Sequence, residues 1–235
     1  MHNLQNYISK FLKYYQGFLY YRKAINLKTL YFNLKNFPLQ IALKLPIIIS
    51  NKCLINNSSG MIKINGNITT GMIKIGFGNV GIFDRKRSRS ILQNSGTIIF
   101  NGKANIGHGS KINVESTGVL EFGDNFIMVA ESSIIVTKRV AFGNNCLISW
   151  NNLFMDTDFH RIVDENDMII NNPQEISIGS FVWIGCRCTI LKGANIKDGS
   201  VIGANSVISN NLDSTNSVYV GNPPKCIKKN ITWQM

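Results

Sequence analysis

The sequence predicts an all-β solenoid of short stacked strands, preceded by a mostly helical segment and interrupted by one loop excursion at residues 149–177. Three observations carry this expectation. Isoleucine occupies every sixth position at Ile178, Ile184, Ile190, Ile196, Ile202 and Ile208. The fifth place of those blocks is Val182, Cys188, Ala194, Ser200, Ser206 and Leu212, small in four of the six. Near residue 50 a helical spacing of apolar residues gives way to short segments rich in Ile, Val, Gly and Asn. A period of six does not fit the 3.6-residue turn of an amphipathic helix. It fits a short strand plus a corner: the aliphatic residue points inward, the small one fills the crowded bend, and Gly or Asn accepts a left-handed backbone.

The first segment, residues 1–49, carries apolar residues at Leu4, Ile8, Phe11, Tyr15 and Phe18, one stripe of a helix flanked by Lys10, Lys13, Arg22 and Lys23. Pro38 and Pro46 break helical structure. The solenoid is expected over residues 50–222 and a tail over 223–235. The six-residue spacing appears upstream at Phe100, Ile106 and Ile112, at Phe122, Met128 and Ile134, and at Val136, Phe142 and Ile148, with Ile62 and Ile68 as its start. Stacked coils of this kind pair their strands in parallel and bury an aliphatic column.

Composition bounds the partners. Lys and Arg number 25 against 13 Asp and Glu, and the ten before Asp84 have no acidic residue among them. A pI near 9.6 suits an anionic partner: a membrane face, an acidic polysaccharide, nucleic acid or a phosphate-bearing cofactor. The basic run Asp84–Ser90, DRKRSRS, reads as a solvated corner or as a contact for an anionic glycan or lipid phosphate; it has no interleaved aromatics, which argues against nucleic acid. Five irregularly spaced cysteines argue for free thiols rather than a disulfide framework. With no apolar run of about 18 residues and no signal-like start, a cytoplasmic location is expected.

Between Ile148 and Ile178 the repeat disappears, and FMDTDFHRIV lies in that gap. A loop leaving a regular solenoid is a usual place for function. His160 titrates near neutrality, as a general base requires, or it is an ordinary solvated loop histidine. In an extended segment Asp156, Asp158 and His160 project to one side, so a carboxylate, Asp158 before Asp156, could orient the ring. Loop capping is the plainer role for both. His108, two places after the inward Ile106, is expected to face outward.

The pattern [LIV]-G-x-x-[STAV]-x resembles that of the hexapeptide-repeat, left-handed parallel β-helix acyltransferases. The resemblance implies three hexapeptides per coil, about seven or eight coils at roughly 18 residues each, and a homotrimer with active sites at subunit boundaries. The stretch from Trp183 to Lys228, ending VGNPPKCIKK, is similar to the galactoside, maltose and streptogramin acetyltransferases. Pro224 departs from the usual small residue there. The longer resemblance is to capsule and O-antigen O-acetyltransferases.

That resemblance makes His160 the base. It gives Trp183, 23 positions later in Trp183-Ile184-Gly185, the role of indole N–H donor to an oxyanion; packing between subunits is the alternative. It places acetyl-CoA along Gly185, Cys186, Ala204 and Ser209, with Lys225 and Lys228 toward its phosphates. The implied reaction is O-acetylation of a sugar hydroxyl, on a cell-surface polysaccharide or its precursor, with no metal; the basic, aromatic N-terminal segment itself supports a peripheral membrane association. The alternatives are N-acetylation of an amino sugar or nucleotide sugar, and a non-catalytic glycan- or membrane-binding solenoid. A zinc hydratase needs three histidine ligands. The chain holds three histidines in all, one of them His2.

Overall fold

The computed structural model describes residues 25–234, so the helical stripe expected over Leu4–Phe18 lies outside the described residues. Two helices, α1 (Leu27–Asn36) and α2 (Leu39–Ala42), lead into twenty-two strands, β1 (Ile47–Ile49) to β22 (Lys225–Lys228). The first solenoid strand thus begins three residues before the expected boundary at 50.

The strands form three sheets, the faces of a triangular prism. Sheet I runs β1, β4 (Ile73–Phe77), β7 (Ala104–Gly107), β10 (Phe126–Met128), β13 (Leu147–Ile148), β16 (Trp183–Ile184), β19 (Val201–Ile202), β21 (Val218–Val220) and β22; sheet II runs β2 (Leu54–Ser58), β5 (Ile91–Asn94), β8 (Lys111–Val114), β11 (Ser133–Val136), β14 (Leu153–Met155), β17 (Thr189–Leu191) and β20 (Val207–Ile208); sheet III runs β18 (Asn195–Ile196), β15 (Ile176–Ile178), β12 (Arg139–Phe142), β9 (Val119–Phe122), β6 (Thr97–Phe100) and β3 (Met61–Ile64). All pairs are parallel except β21 (Val218–Val220) with β22. Successive hexapeptides fall on successive faces. Ile178, Ile184 and Ile190 lie in β15, β16 and β17 on sheets III, I and II, and each pairs with the isoleucine 18 residues on. All six isoleucines and all six fifth-place residues are buried.

The N-terminal half uses aromatic residues where the C-terminal half uses isoleucine. Phe100, Phe122 and Phe142 stack at 5.1 and 5.7 Å, and Phe126 packs at 4.7 Å from Phe122. The repeat also extends further than its isoleucines. Phe154 follows Phe142 and Ile148 by six, is fully buried, and pairs with Ile134 and Ile190 in sheet II. The excursion therefore begins after β14 (Leu153–Met155), not at 149. A phenylalanine at the inward place hid the continuing register.

A solenoid has two open edges, each a row of unpaired backbone groups. Helix α1 covers the first one. Its buried Thr29 and Asn33 behave as strand mimics: Thr29 Oγ1 accepts from Ile49 N at 3.0 Å and donates to Ile49 O at 3.2 Å. Asn33 accepts from Ile47 N at 3.2 Å and donates to Ile47 O at 2.7 Å. At the other end β22 turns back antiparallel on β21.

Phe122→Ala removes the middle ring of the stack and is expected to cost about 3–5 kcal/mol in a urea titration, as large-to-small core changes do. A loss below about 1 kcal/mol would contradict a stack that carries the N-terminal coils.

Candidate functional site

The excursion leaves the corner between sheets II and III, after β14, and returns at β15 (Ile176–Ile178). Polar side chains fix it at its root. Asp156 is fully buried, and its carboxylate accepts from Thr137 N at 2.8 Å, Thr137 Oγ1 at 3.0 Å and Lys138 N at 2.8 Å. It caps the corner of the preceding coil and is committed there, so it is not an orienting partner for His160.

Asp158 is also engaged elsewhere. Its carboxylate forms an ion pair with Lys192, the corner residue of the next coil, and accepts from Asn171 Nδ2 at 2.8 Å. The hydrogen bond from Lys192, then that from Asn171, holds its pKa below the ordinary value. The expectation that Asp158 holds the His160 ring is thus replaced by a role in holding the loop. Asn171 acts as a latch: its Nδ2 donates to His160 O at 2.8 Å, its Oδ1 accepts from Ile162 N at 2.7 Å, and its own carbonyl accepts from Lys192 Nζ at 2.9 Å. Beyond the latch, Val163 and Ile169 bridge antiparallel, making the tip a small hairpin.

His160 stands exposed on this loop, and its imidazole has no hydrogen-bond partner among the described residues. Thr157, Asp158, Phe159, Arg161 and Asn171 surround it with a cavity of about 280 Å³.

The remaining expected site residues fall in two places. Trp183 lies on the outer face of sheet I, 38% exposed, donating from Nε1 to Ser149 Oγ at 3.3 Å, with the Trp233 ring 6.1 Å away. Cys186 and Ala204 stack in adjacent coils at the corner between sheets I and II, where Asn205 N donates to Cys186 O at 3.0 Å. Gly185 is buried there, and a Cβ on it would come within 2.8 Å of Ala204 N. The exposed Lys225 and Lys228 lie on β22, on the sheet I side. Ser209 belongs to the other corner, its carbonyl stacked over Gly193 beside Lys192. Within one chain, then, His160 and Ser209 share the II–III corner, whereas Trp183, Gly185, Cys186 and Ala204 share sheet I and the I–II corner.

Asn171, Lys192 and Ser149 had no signal in their own types or spacing. Lys192 was reachable through register, because Met155 pairs with Leu191 and the next residues meet at the same corner. His108 does not face outward as expected. It is 2% exposed, with Nδ1 at 2.8 Å from Ser88 Oγ, because an insertion at 78–90 folds back over it. Among the described residues no group of three His, Cys, Asp or Glu is placed to hold a metal. Burial pushes the Cys53 thiol up to about 11 and the Cys146 thiol up to about 12, so neither offers a thiolate nucleophile near neutrality.

Residues 175–210 match the bacterial transferase hexapeptide (six repeats) model. A protein of Escherichia coli (strain K12) named as a lipopolysaccharide biosynthesis O-acetyl transferase is 30% identical over 148 residues, covering 59% of this chain and 74% of that protein. A polysialic acid O-acetyltransferase of Neisseria meningitidis is 29% identical over 188 residues, 80% of this chain and 74% of that one. The crystal structure of the polySia specific acetyltransferase NeuO superposes with a TM-score of 0.54 at 21% identity, over 80% of this chain and 89% of that one. The fold is the left-handed parallel β-helix of these transferases.

A carboxyl held below its ordinary value stabilises the folded loop at all pH above that value, and the contribution disappears as pH falls through the lowered one. Protection of loop amides from hydrogen exchange, corrected for intrinsic rates, should therefore hold from pH 7 down to about 4 and fall only in more acid solution. Lys192→Met should abolish that acid step and loosen residues 157–173 already at pH 7. An unchanged loop in the variant would refute the latch.

Proposed function

We propose that this chain, which belongs to the bacterial hexapeptide-repeat transferase family, transfers acetyl from acetyl-CoA to a sugar hydroxyl of a bacterial surface polysaccharide or its precursor, with His160 as the general base. The observation that carries this reading is the placement of His160. It is an imidazole with an unengaged edge, on a loop anchored by Asp156, Asp158 and Asn171, at the edge of a solenoid whose relatives are named as O-acetyltransferases.

The proton balance is simple. His160 takes the proton of the acceptor hydroxyl as its oxygen attacks the thioester carbonyl. The tetrahedral oxyanion is held by the Trp183 indole N–H, which exchanges its Ser149 contact for the new acceptor, or by corner backbone N–H groups. Collapse breaks the C–S bond, and the imidazolium returns its proton to the departing thiolate. No acyl-enzyme is needed, and the buried Cys53 and Cys146 are not poised to form one.

The active enzyme in this reading is a trimer with its sites between subunits. One protomer keeps His160 on a different edge from Trp183, Gly185, Cys186 and Ala204, and a cavity of about 280 Å³ is small for a coenzyme. A neighbour's II–III corner set against sheet I brings base, oxyanion donor and donor groove together. It also covers Phe159, Ile162 and Met168 on the loop and Phe181 at the turn before β16, each more than half exposed in the single chain. Lys225 and Lys228 then meet the coenzyme phosphates by Coulomb attraction. Peripheral attachment to an anionic membrane is favoured by α1, whose Leu27, Tyr31 and Leu34 are exposed along one face beside Lys28 and Lys35. No helix among the described residues is long and apolar enough to cross a membrane.

In a thiol-release assay with acetyl-CoA and a polysaccharide acceptor, His160→Ala should lower kcat by about 10²–10⁴-fold with the assembly intact; full activity would end this mechanism. Where the Trp183 indole is the oxyanion donor, Trp183→Ala is inactive as well, and mixing these subunits with His160→Ala subunits by denaturation and refolding should restore about one quarter of the wild-type sites if each site spans two subunits. No recovery would mean that one protomer supplies both residues.

A further inference from the structure

A second excursion, residues 78–90, leaves the solenoid between β4 (Ile73–Phe77) and β5 (Ile91–Asn94) at the I–II corner. It carries the basic run Asp84–Ser90. Together with the corner Ser50–Lys52 of the preceding coil it encloses a cavity of about 710 Å³, within the range of small-ligand sites. Lys52, Arg85 and Lys86 line it, with Ser50, Asn51 and Asn79 as hydrogen-bonding groups, and no carboxylate of the described residues lines it. Among the described residues none of these three cations forms a salt bridge.

The loop is built onto the body. Ser88 Oγ hydrogen-bonds to Glu131 and lies 2.8 Å from Nδ1 of the buried His108, and the Phe83 ring stands edge-on to that imidazole at 6.0 Å. Lys52 Nζ donates to the Arg85 carbonyl, tying the two walls of the cavity together. Burial, with some repulsion from Arg85 and Lys52, outweighs Glu131 and keeps the His108 pKa below its ordinary value. Beneath the loop, His108 Nε2 and the hydroxyls of Ser90 and Ser110 are buried without a hydrogen-bond partner among the described residues.

We propose that this corner binds an anionic stretch of glycan: a carboxylate- or phosphate-bearing segment of the acceptor, several sugars from the hydroxyl that is acetylated. The proposal rests on the reaction proposed above and names its substrate class. The corner is the one that carries Cys186 and Ala204. Its cavity lies four strand steps along sheet I, β4 to β16, roughly 19 Å at the usual spacing of about 4.8 Å per strand. A polymer laid along that edge reaches from the basic cavity to the donor end. A nucleotide sugar does not span it. The concave, Asn- and Ser-lined shape favours a glycan over a flat lipid surface.

The test is retention of the intact protein, at two salt concentrations, by immobilised polysialic acid (carboxylate), poly(glycerol phosphate) (phosphate) and dextran (neutral), with phosphatidylglycerol vesicles as a fourth arm. Wild type should bind at least one polyanion, more weakly at higher salt, and not dextran. The polyanion retained tells carboxylate from phosphate. Arg85→Ala/Lys86→Ala should bind that polyanion roughly tenfold more weakly with unchanged melting and unchanged acetyl-CoA turnover on a short neutral sugar. Lys52→Gln, on the opposite wall, should weaken it in the same direction. Failure to bind either polyanion, equal retention by dextran, or unchanged binding in both variants overturns the site, as does a loss confined to vesicles. If the variants lose polyanion binding but wild type transfers no acetyl group, the reaction is wrong and the site stands; acetyl transfer to an anionic polymer that ignores the variants gives the reverse.

Discussion

Everything here depends on one constraint: inward residues recur every six positions around the coil, so that residues one coil apart stack vertically. Each coil is too small to bury its own apolar face, so its stability comes from the coil above and the coil below. Ile184 on Ile202 and Ile190 on Ile208 are the unit of that stacking, and the parallel ladder keeps the register. The aromatic column of Phe100, Phe122 and Phe142 serves the same end where the coils are longer. Such a stack must be closed at its ends. Thr29 and Asn33 close it by imitating a missing strand, which gives the short helix α1 a structural purpose independent of any surface it presents.

A rigid prism gives function a simple geometry. Segments that leave it do so only at corners, and what they carry is positioned by the coils beneath. At the II–III corner Asp156 and Asp158 both face the scaffold: one caps the previous coil and the other grips the next through Lys192. The carboxylates beside His160 therefore set where the loop stands, and neither of them bonds the imidazole. At the I–II corner the second excursion is fastened by Ser88, His108 and Glu131 in the same manner, polar side chains reaching one or two coils along.

The sequence made the C-terminal coils legible because Ile178 to Ile208 obey one spacing without insertions, and the fold class followed from them. Register was harder where the inward residue changed type: Phe154 continues the ladder, yet it read as part of the loop. His160 drew notice because it sits where the repeat fails, and its role as base belongs to the proposal above. The roles of Asp156 and Asp158 were not legible, because alternation along an extended segment assumes a straight strand, and the chain turns at that corner to satisfy backbone N–H groups of Thr137 and Lys138. His108 was misplaced for a related reason. Two positions after an inward residue is an outward place on a bare corner, but the inserted residues 78–90 cover it. Contacts between coils, such as Lys192 with Asp158, are distant in sequence and need the register before they can be seen.

The central claim is that a single chain holds half of a catalytic site, with His160 meeting the donor thioester on a neighbouring subunit. The most direct measurement is a crystal structure of the assembled protein with coenzyme A. The account expects the thiol to lie between His160 of one subunit and the Trp183–Cys186 edge of the next, within about 3–4 Å of the imidazole. A coenzyme whose thiol sits away from every His160, or whose contacts to His160 and to Trp183 come from the same chain, would contradict it.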